Sequence, residues 1–468
     1  MGRGKGGKVI ANALVKEFQT LLGRENVFTD QADLVTYSYD AAVLDPVIPG
    51  LAIRPSSPEG LSHAVRLCHE NGLPLTVRGA GTNLSGGTIP LPNGVVVLTN
   101  ALNRILEINE ADMYAVVQPG VITAKLAAAV AAKNLFYPPD PGSQAVSTIG
   151  GNVAENAGGL RGLKYGVTRD YVMGLSFFDV AGEAVKTGSK TVKCATGYNL
   201  TGLMVGSEGT LGVFNEITLK LIPMPAHQKA MIAVFDKIHK ASETVAAIIA
   251  HHIVPATLEF MDNFTIRAVE AFSHAGLPVE AAALLLIEVD GHPAQVEEDA
   301  ARVETLCRRM GATAIQVAKD AAERDKVWEA RRAALSALAK LKPTLVLEDA
   351  TVPRSRIPEM VQAMEDIARR YGLAIGTFGH AGDGNLHPTI LTDRRDKNEW
   401  QRVESAIDAI FDKALALGGT LSGEHGTGLA KARFLEKETS RATIVYSRKI
   451  KLALDPKNIL NPGKIITS

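Results

Sequence analysis

Two rhythms of apolar positions divide the chain. In the first half, Val9–Leu22 carries apolar residues at helical spacing and predicts an amphipathic helix. Ser57-Pro58-Glu59 opens a second helix that runs to His69. A serine cap, a proline in the first turn and an early carboxylate are start signals, and Asn71-Gly72 is a stop signal. Leu75–Arg78 and Val95–Leu98 predict short strands on either side of a glycine-rich stretch, Gly79–Gly87. Met113–Gln118 predicts a strand, Val121–Lys133 an alanine-rich helix, and Gly174–Thr187 a hairpin about Ala181-Gly182. Pro138–Gly162 shows neither rhythm and predicts a long loop. Glu216–Ile222 is the last strand before Pro223 and Pro225, which mark a boundary.

The second rhythm begins at Lys229. Strand Met231–Phe235, helix Lys237–His252, strands Ala256–Met261 and Ala283–Val289, helix Ala294–Met310 and strand Ala314–Val317 follow the split βαβ order of a ferredoxin-like sheet. A long helix, Glu323–Lys340, comes next. Helices at Glu359–Tyr371 and Asn398–Leu417 flank a Gly/His loop, Gly379–His387. A second such loop, Gly423–Gly428, leads through two short helices to Asp455–Lys464. The expected fold class is α+β. The expected organisation is an N-terminal helical segment (1–45), a first domain (46–224), a second domain (225–428) and a C-terminal helical segment (429–468) returning to the first.

Composition narrows the function. The chain of 468 residues has room for two or three domains. Its 50 Lys and Arg balance 50 Asp and Glu, so no net field would hold a polyanion, which argues against nucleic acid as the main partner. Met1–Lys8 is basic and glycine-rich, but no apolar stretch with a cleavage site follows, so no signal peptide is expected. No apolar run approaches the roughly 20 residues of a membrane span. Cys68, Cys194 and Cys307 are scattered and read as buried small hydrophobes. They are too few for a Cys-ligated iron–sulfur cluster and do not form a disulfide framework. The expectation is a cytoplasmic protein, with peripheral membrane contact through a partner left open.

The Gly79–Gly87 stretch is not a Rossmann fingerprint, because its spacing differs and a strand, not a helix, follows. Consecutive Gly, Thr, Asn and Ser residues let backbone N–H groups turn inward as an anion-binding nest; the alternative is a plain glycine-rich turn. Pro138–Gly159 is a second stretch of small residues with almost no charge. Disorder would call for charge, so this length of loop points to close backbone approach to something flat and polar. His380 and His387 are seven residues apart. They are too far apart on a helix and on opposite faces of a flat strand, so one ion can take both only if the chain curls back. Gly379, Gly382 and Gly384 permit that, and Glu424-His425 lies between glycines as a second polar tip. Two imidazoles and a carboxylate would suit Zn²⁺, Mn²⁺ or Fe²⁺; the alternative is hydrogen-bonded turn histidines.

Pro138–Gly159, Lys164-Tyr165-Gly166 and Gly206-Ser207-Glu208-Gly209-Thr210-Leu211-Gly212 resemble the FAD domain of the vanillyl-alcohol oxidase and p-cresol methylhydroxylase (PCMH) superfamily. Gly379-His380-Ala381-Gly382-Asp383-Gly384-Asn385-Leu386-His387 and Gly423-Glu424-His425-Gly426-Thr427-Gly428 resemble its FAD-linked oxidase cap domain. The whole is similar to the FAD subunits of glycolate oxidases and to D-lactate and D-2-hydroxyglutarate dehydrogenases. The resemblance implies a PCMH-type FAD-binding domain, a cap on a ferredoxin-like sheet, and oxidation of a small 2-hydroxy acid where the cap meets the flavin. It places FAD on Arg78, Gly79, Ala80, Gly81, Thr82 and Asn83, on Pro139, Gly142, Ser143, Ser147, Gly150, Asn152 and Gly158, on Glu216 and Ile217, and on Asn461. Thr82 matches the position where relatives that tether flavin covalently often have a histidine, so a non-covalent flavin is implied. His380, His387 and Glu424 match the family's metal ligands, His425 its catalytic base, and Arg331, in Trp328-Glu329-Ala330-Arg331, a bidentate clamp on the substrate carboxylate. Electrons would leave through an accepting subunit or an electron-transfer protein. A flavoprotein of group exchange, of the alkyl-glycerone-phosphate synthase type, and a metal-dependent hydrolase are the alternatives.

Overall fold

In the first half the apolar strands are short and bounded by turns, and they assemble into three sheets, the smallest a pairing of Leu135–Phe136 with Ile222–Pro223. The computed structural model describes residues 10–466; the basic stretch Met1–Lys8 lies outside them. Helix Pro58–Asn71 starts where Ser57 Oγ accepts the Gly60 N–H and stops at Gly72, with φ 61°. Its apolar face, Leu61, Ala64, Val65, Leu67 and Cys68, is buried. The helix returns the chain so that Leu75–Arg78 runs parallel to Val95–Leu98, which is also parallel to Leu51–Ile53. With Val27–Phe28 on the far edge these strands form a four-stranded sheet. A five-stranded antiparallel sheet follows, in the order Ile105–Asn109, Tyr114–Val117, Val213–Lys220, Val172–Phe178, Ala184–Gly188.

The end of the chain completes the first sheet's core. Leu75 N–H donates to Ile459 O and Asn461 N–H donates to Leu75 O, each at 2.7 Å, so Leu460 adds one parallel bridge to the edge strand. Ile459 and Leu460 are buried there with Phe18, Leu51, Ile53, Leu61 and Val97. The chain up to Ala157, Val167–Met224 and everything from Glu424 on form one compact unit; 158–166 and Pro225–Gly423 form another.

The second unit is built on an eight-stranded sheet. Its path runs Ala312–Val317, His227–Phe235, Ala283–Gly291, Thr257–Asp262, Ala374–His380, Asn385–Thr392, Thr344–Leu347, and Ala350–Thr351 also pairs with Asn385–Thr392. Numbered by sequence, the first four stand in the order 4-1-3-2 expected of a ferredoxin-like sheet, and the later strands extend it. Ile232, Val234, Met261, Leu284, Leu286, Phe378 and Leu391 meet Ile266, Val269, Trp328, Ala330 and Leu338 in one core.

Four expectations change. Pro138–Gly162 is not all loop: Thr148 caps a helix, Ile149–Glu155, with its hydroxyl accepting the Gly151 N–H. Gly150 and Gly151 hide that helix from a propensity reading. Glu323–Lys340 is two helices, Ala321–Arg332 and Ala334–Ala339. A helix not expected from the pattern, Asn263–Ser273, starts where Asp262 Oδ1 accepts the Thr265 N–H at 2.8 Å. Cys194 is exposed, while Cys68 and Cys307 are buried. The excursion 158–166 is fixed to the second unit by Lys164 Nζ, which donates to Asp290 O at 2.6 Å and Oδ1 at 2.5 Å, and by the Tyr165 hydroxyl, which donates to Asp290 Oδ2 at 2.7 Å. Among the described residues no helix is long and apolar enough to cross a membrane.

Leu460 is fully buried against the edge strand of the first sheet. Leu460→Ala is expected to destabilise the first unit by about 2–5 kcal/mol, the usual cost of a buried leucine cavity. Urea unfolding followed by fluorescence checks this, and a loss below about 0.5 kcal/mol, the size of an ordinary surface change, would show that the C-terminal segment is not core.

Candidate functional site

The Gly/His loop is the tip of a hairpin. Strands Ala374–His380 and Asn385–Thr392 pair antiparallel with His380 opposite Asn385 and Phe378 opposite His387. Residues opposite each other share a face, as do residues two apart along one strand. His380 and His387 therefore face the same side, which is how a seven-residue spacing brings them together. Their rings meet edge to face, with centroids 5.1 Å apart and planes at 88°. Both are buried.

Each ring is oriented from behind. His380 Nδ1 lies 2.7 Å from Glu259 Oε1, and His387 Nδ1 lies 3.4 Å from Glu348 O. A carboxylate or carbonyl oxygen accepts, so Nδ1 carries the proton and Nε2 keeps its lone pair in each neutral ring. Glu424 follows Gly423, the last residue of the second unit. That unit fixes the approach to it: Thr420 N–H donates to Thr351 O, and Ser422 Oγ donates to Asp349 Oδ2 at 2.7 Å. One ligand atom from each of His380, His387 and Glu424 lies within 4.8 Å of the others, so the three could hold one metal ion. Two neutral imidazoles, one of them backed by a carboxylate, and one direct carboxylate are the donor set of Zn²⁺, Mn²⁺ or Fe²⁺ sites.

Glu259 is the residue the sequence reading missed. It is fully buried in the middle of the sheet, on strand Thr257–Asp262. Its Oε2 takes both Nε and Nη2 of Arg331 at 2.6 Å. Burial pushes this carboxyl up, but Arg331 and His380 outweigh burial and hold it below the ordinary carboxylate range. The signal was present: a lone acid in the apolar strand Leu258-Glu259-Phe260 needs a partner. Arg331 is itself buried and lies over the Phe378 ring, 4.7 Å from its centroid. Nε and Nη2 of Arg331 are thus already engaged with Glu259, and a grip on a substrate carboxylate would have to use Nη1 and its side of the guanidinium. Only Nη1 has no hydrogen-bond partner among the described residues.

The first unit carries the other expected residues. None of the six N–H groups from Gly79 to Leu84 donates a hydrogen bond among the described residues. This run of unspent donors is at least partly exposed and fits the pyrophosphate of FAD. A Cβ on Gly79 would stand 2.2 Å from Thr148 Oγ1, so the two glycine stretches touch, and only glycine allows it. The side chains around the nest serve its shape. Arg78 Nη1 donates to Tyr39 O and Thr88 Oγ1, and Asn83 Nδ2 donates to Asp40 Oδ2 at 2.7 Å. Thr82 is half-buried beside Ala80 and Gly81. Ser147 and Asn152 are buried, and both bond Thr123 Oγ1 at 2.8 Å, so their side chains brace the loop from behind. Pro139 and Gly150 are buried, Ser143 is half-buried, and Gly142 is exposed with open space about it. Ile217 is in the core and can offer a ligand only its backbone, whereas the neighbouring Glu216 is half-buried. Gly158 lies in the second unit. Asn461 Nδ2 donates to Gly87 O at 2.8 Å and Glu208 O at 2.7 Å, which joins the chain end to both loops. His425 is half-buried in the loop after Glu424.

Known proteins match this chain along most of its length. A model described as FAD linked oxidases, C-terminal domain, matches residues 224–465, and one described as FAD binding domain matches residues 49–188. The chain is 51% identical to the glycolate oxidase subunit GlcD of Bacillus subtilis, covering 95% of this chain and 94% of that one. It is 33% identical to a D-lactate dehydrogenase of Anaerostipes hadrus, covering 97% of each. The solved structure of p-cresol methylhydroxylase with substrate bound superposes with a TM-score of 0.81 at 18% identity, over 97% of each chain, and shows the shared fold.

Glu259→Gln removes a charge that two groups share and leaves Arg331 buried with a neutral partner. Affinity for added Zn²⁺ or Mn²⁺, read by titration calorimetry on the full chain, is expected to fall about 10–100-fold, the usual effect of losing a ligand's outer partner. Affinity equal to the parent's would show that Glu259 does not orient His380 for a metal.

Proposed function

The chain belongs to the FAD-linked oxidase family, and from that membership, which makes it an FAD-dependent oxidoreductase, we propose that it dehydrogenates a small 2-hydroxy acid to the 2-oxo acid. Glycolate and D-lactate stand ahead of D-2-hydroxyglutarate. The observation that carries this reading is the 51% identity to a glycolate oxidase subunit over nearly the whole chain. It also favours redox chemistry over group exchange or hydrolysis.

When bound, FAD supplies the hydride acceptor, and a divalent transition metal supplies a Lewis acid at the substrate hydroxyl. The backbone of Gly79–Leu84 holds the flavin's pyrophosphate, without a covalent tether at Thr82. His380 Nε2, His387 Nε2 and the Glu424 carboxylate hold the metal. His425 takes the hydroxyl proton as the C2–H bond gives up its hydrogen with both electrons and the carbonyl forms. His425 accepts as the neutral imidazole, a form that a dication bound nearby would favour. Arg331 Nη1 takes one oxygen of the substrate carboxylate. This one-point contact, in place of a fork, leaves selectivity to the shape of the pocket.

The electrons then need an acceptor. Three scattered cysteines cannot ligate a cluster, and no Cys-x-x-Cys-His motif is present for a haem. The relative's description as a subunit supports a docked electron-accepting chain, with a quinone, a cytochrome or an electron-transfer flavoprotein as further candidates.

Dye reduction over a panel of D- and L-2-hydroxy acids is expected to be fastest with glycolate or D-lactate. A yellow protein whose flavin no 2-hydroxy acid reduces would end this reading. His425→Ala is expected to slow single-turnover flavin reduction by about 10²–10⁴-fold with FAD content unchanged, the range for losing a general base. A rate within about threefold of the parent, far short of that range, would mean another group takes the proton.

A further inference from the structure

The segment that carries His425 is hydrogen-bonded to two loops of the first unit, Gly79–Gly87 and Gly206–Gly212. Leu429 N–H and Ala430 N–H both donate to Ser85 O, at 2.9 and 3.0 Å. Thr427 N–H donates to Glu208 Oε1 and Gly428 N–H to Glu208 Oε2, each at 2.7 Å. Gly426 has φ 85°, and a Cβ there would stand 2.1 Å from Glu155 Oε2 and 3.0 Å from Glu208 Oε1. The backbone beside His425 thus lies directly on two carboxylates.

Every polar atom of Glu208 is in use. Its N–H donates to Ala154 O at 2.8 Å, its carbonyl accepts from Asn461 Nδ2 at 2.7 Å, and its two carboxylate oxygens take the two loop amides. It sits at the centre of the Gly206–Gly212 loop with φ 50°, between Gly206 at 78° and Gly209 at 69°. A residue with a side chain keeps that left-handed backbone only where its surroundings over-determine it. Glycine at 208 would relieve the strain but could not reach Thr427 and Gly428. The strained position is therefore explained by the carboxylate's reach.

We propose that Glu208 is the positioning residue for His425: one carboxylate latches the His425 loop to the Gly206–Gly212 loop and so aims the base. This rests on the role proposed above for His425. Asn461 belongs to the same latch, because it fixes the carbonyl of Glu208 while bonding Gly87 at the end of the other loop.

The test uses the FAD-loaded full chain. Glu208→Gln keeps the side chain's shape but turns one acceptor into a donor that faces an N–H. Amide exchange over residues 424–430 is expected to rise about tenfold, the scale of one lost hydrogen bond. FAD content should match the parent. Single-turnover flavin reduction should fall about 10²-fold, as for a catalytic group misplaced by an ångström, with little change in KM. Added to His425→Ala, Glu208→Gln should cost nothing further, because it acts through that residue. Glu208→Asp keeps the charge and should recover part of the rate; it carries the test if the glutamine variant does not fold. Unchanged exchange at 424–430, or losses that multiply in the double variant, would overturn the proposal. A His425→Ala protein as fast as the parent would remove the proton assignment, and the exchange result would still decide the latch.

Discussion

A carboxylate in the middle of a β-sheet must be surrounded by donors, and the second unit is organised around that requirement. Glu259 has no access to water, and its charge is tolerable only because Arg331 and His380 both reach it. Arg331 comes from the helix after the ferredoxin-like strands, and His380 from the hairpin that extends the sheet. One charge therefore ties a helix and a hairpin to a core strand. Three well-packed apolar side chains would hold these elements as firmly or better, since a buried ion group scarcely offsets its own desolvation. What they could not do is fix the tautomer and aim of an imidazole. The charged arrangement is understandable as the orientation of His380, gained at a cost to stability.

The first unit uses the same device with backbone donors in place of side chains. Glu208 is buried and takes two amide N–H groups, and burial pushes its carboxyl up to about 7 against those bonds and against Lys431 and Lys464. In both units a buried carboxylate holds a candidate histidine or the loop that carries one, and that histidine is the part legible from sequence. His380, His387 and His425 stood out because glycines surrounded them. Glu259 and Glu208 were harder to see for opposite reasons. Glu259 lay in an apolar strand whose other residues explained themselves, and Glu208 lay inside a motif read only as a mark of the FAD domain, where its own role was hidden.

Much of the fold was legible because periodicity and turn residues agreed. The 4-1-3-2 sheet, the Pro58–Asn71 helix and the Gly174–Thr187 hairpin were all anticipated from the pattern. What failed did so where a local cap overrode propensity. Thr148 starts a helix whose first turn holds two glycines, and Asp262 starts one directly at a strand's end. The histidine pair was understood only in part. The need for the chain to fold back was clear from the spacing, but pairing across a hairpin depends on register, and register is set by hydrogen bonds between strands that a single pattern of apolar positions does not reveal.

The route of the chain between the two units has a consequence in time. The polypeptide leaves the first unit at Gly158, comes back at Val167, leaves again at Pro225 and returns for good at Glu424. During synthesis the N-terminal part of a protein emerges first and, in many proteins, folds first. Here it lacks Leu460, whose backbone neighbours complete the edge at Leu75, until the whole second unit has been made. For that interval the Leu75–Arg78 strand presents an open edge, the kind of surface that pairs with the wrong neighbour. A ribosome that stalled within the second unit would release a chain with both glycine stretches intact and no means of closing the sheet beside them. Such a chain would be a substrate for chaperones or proteases rather than a half-working flavoprotein.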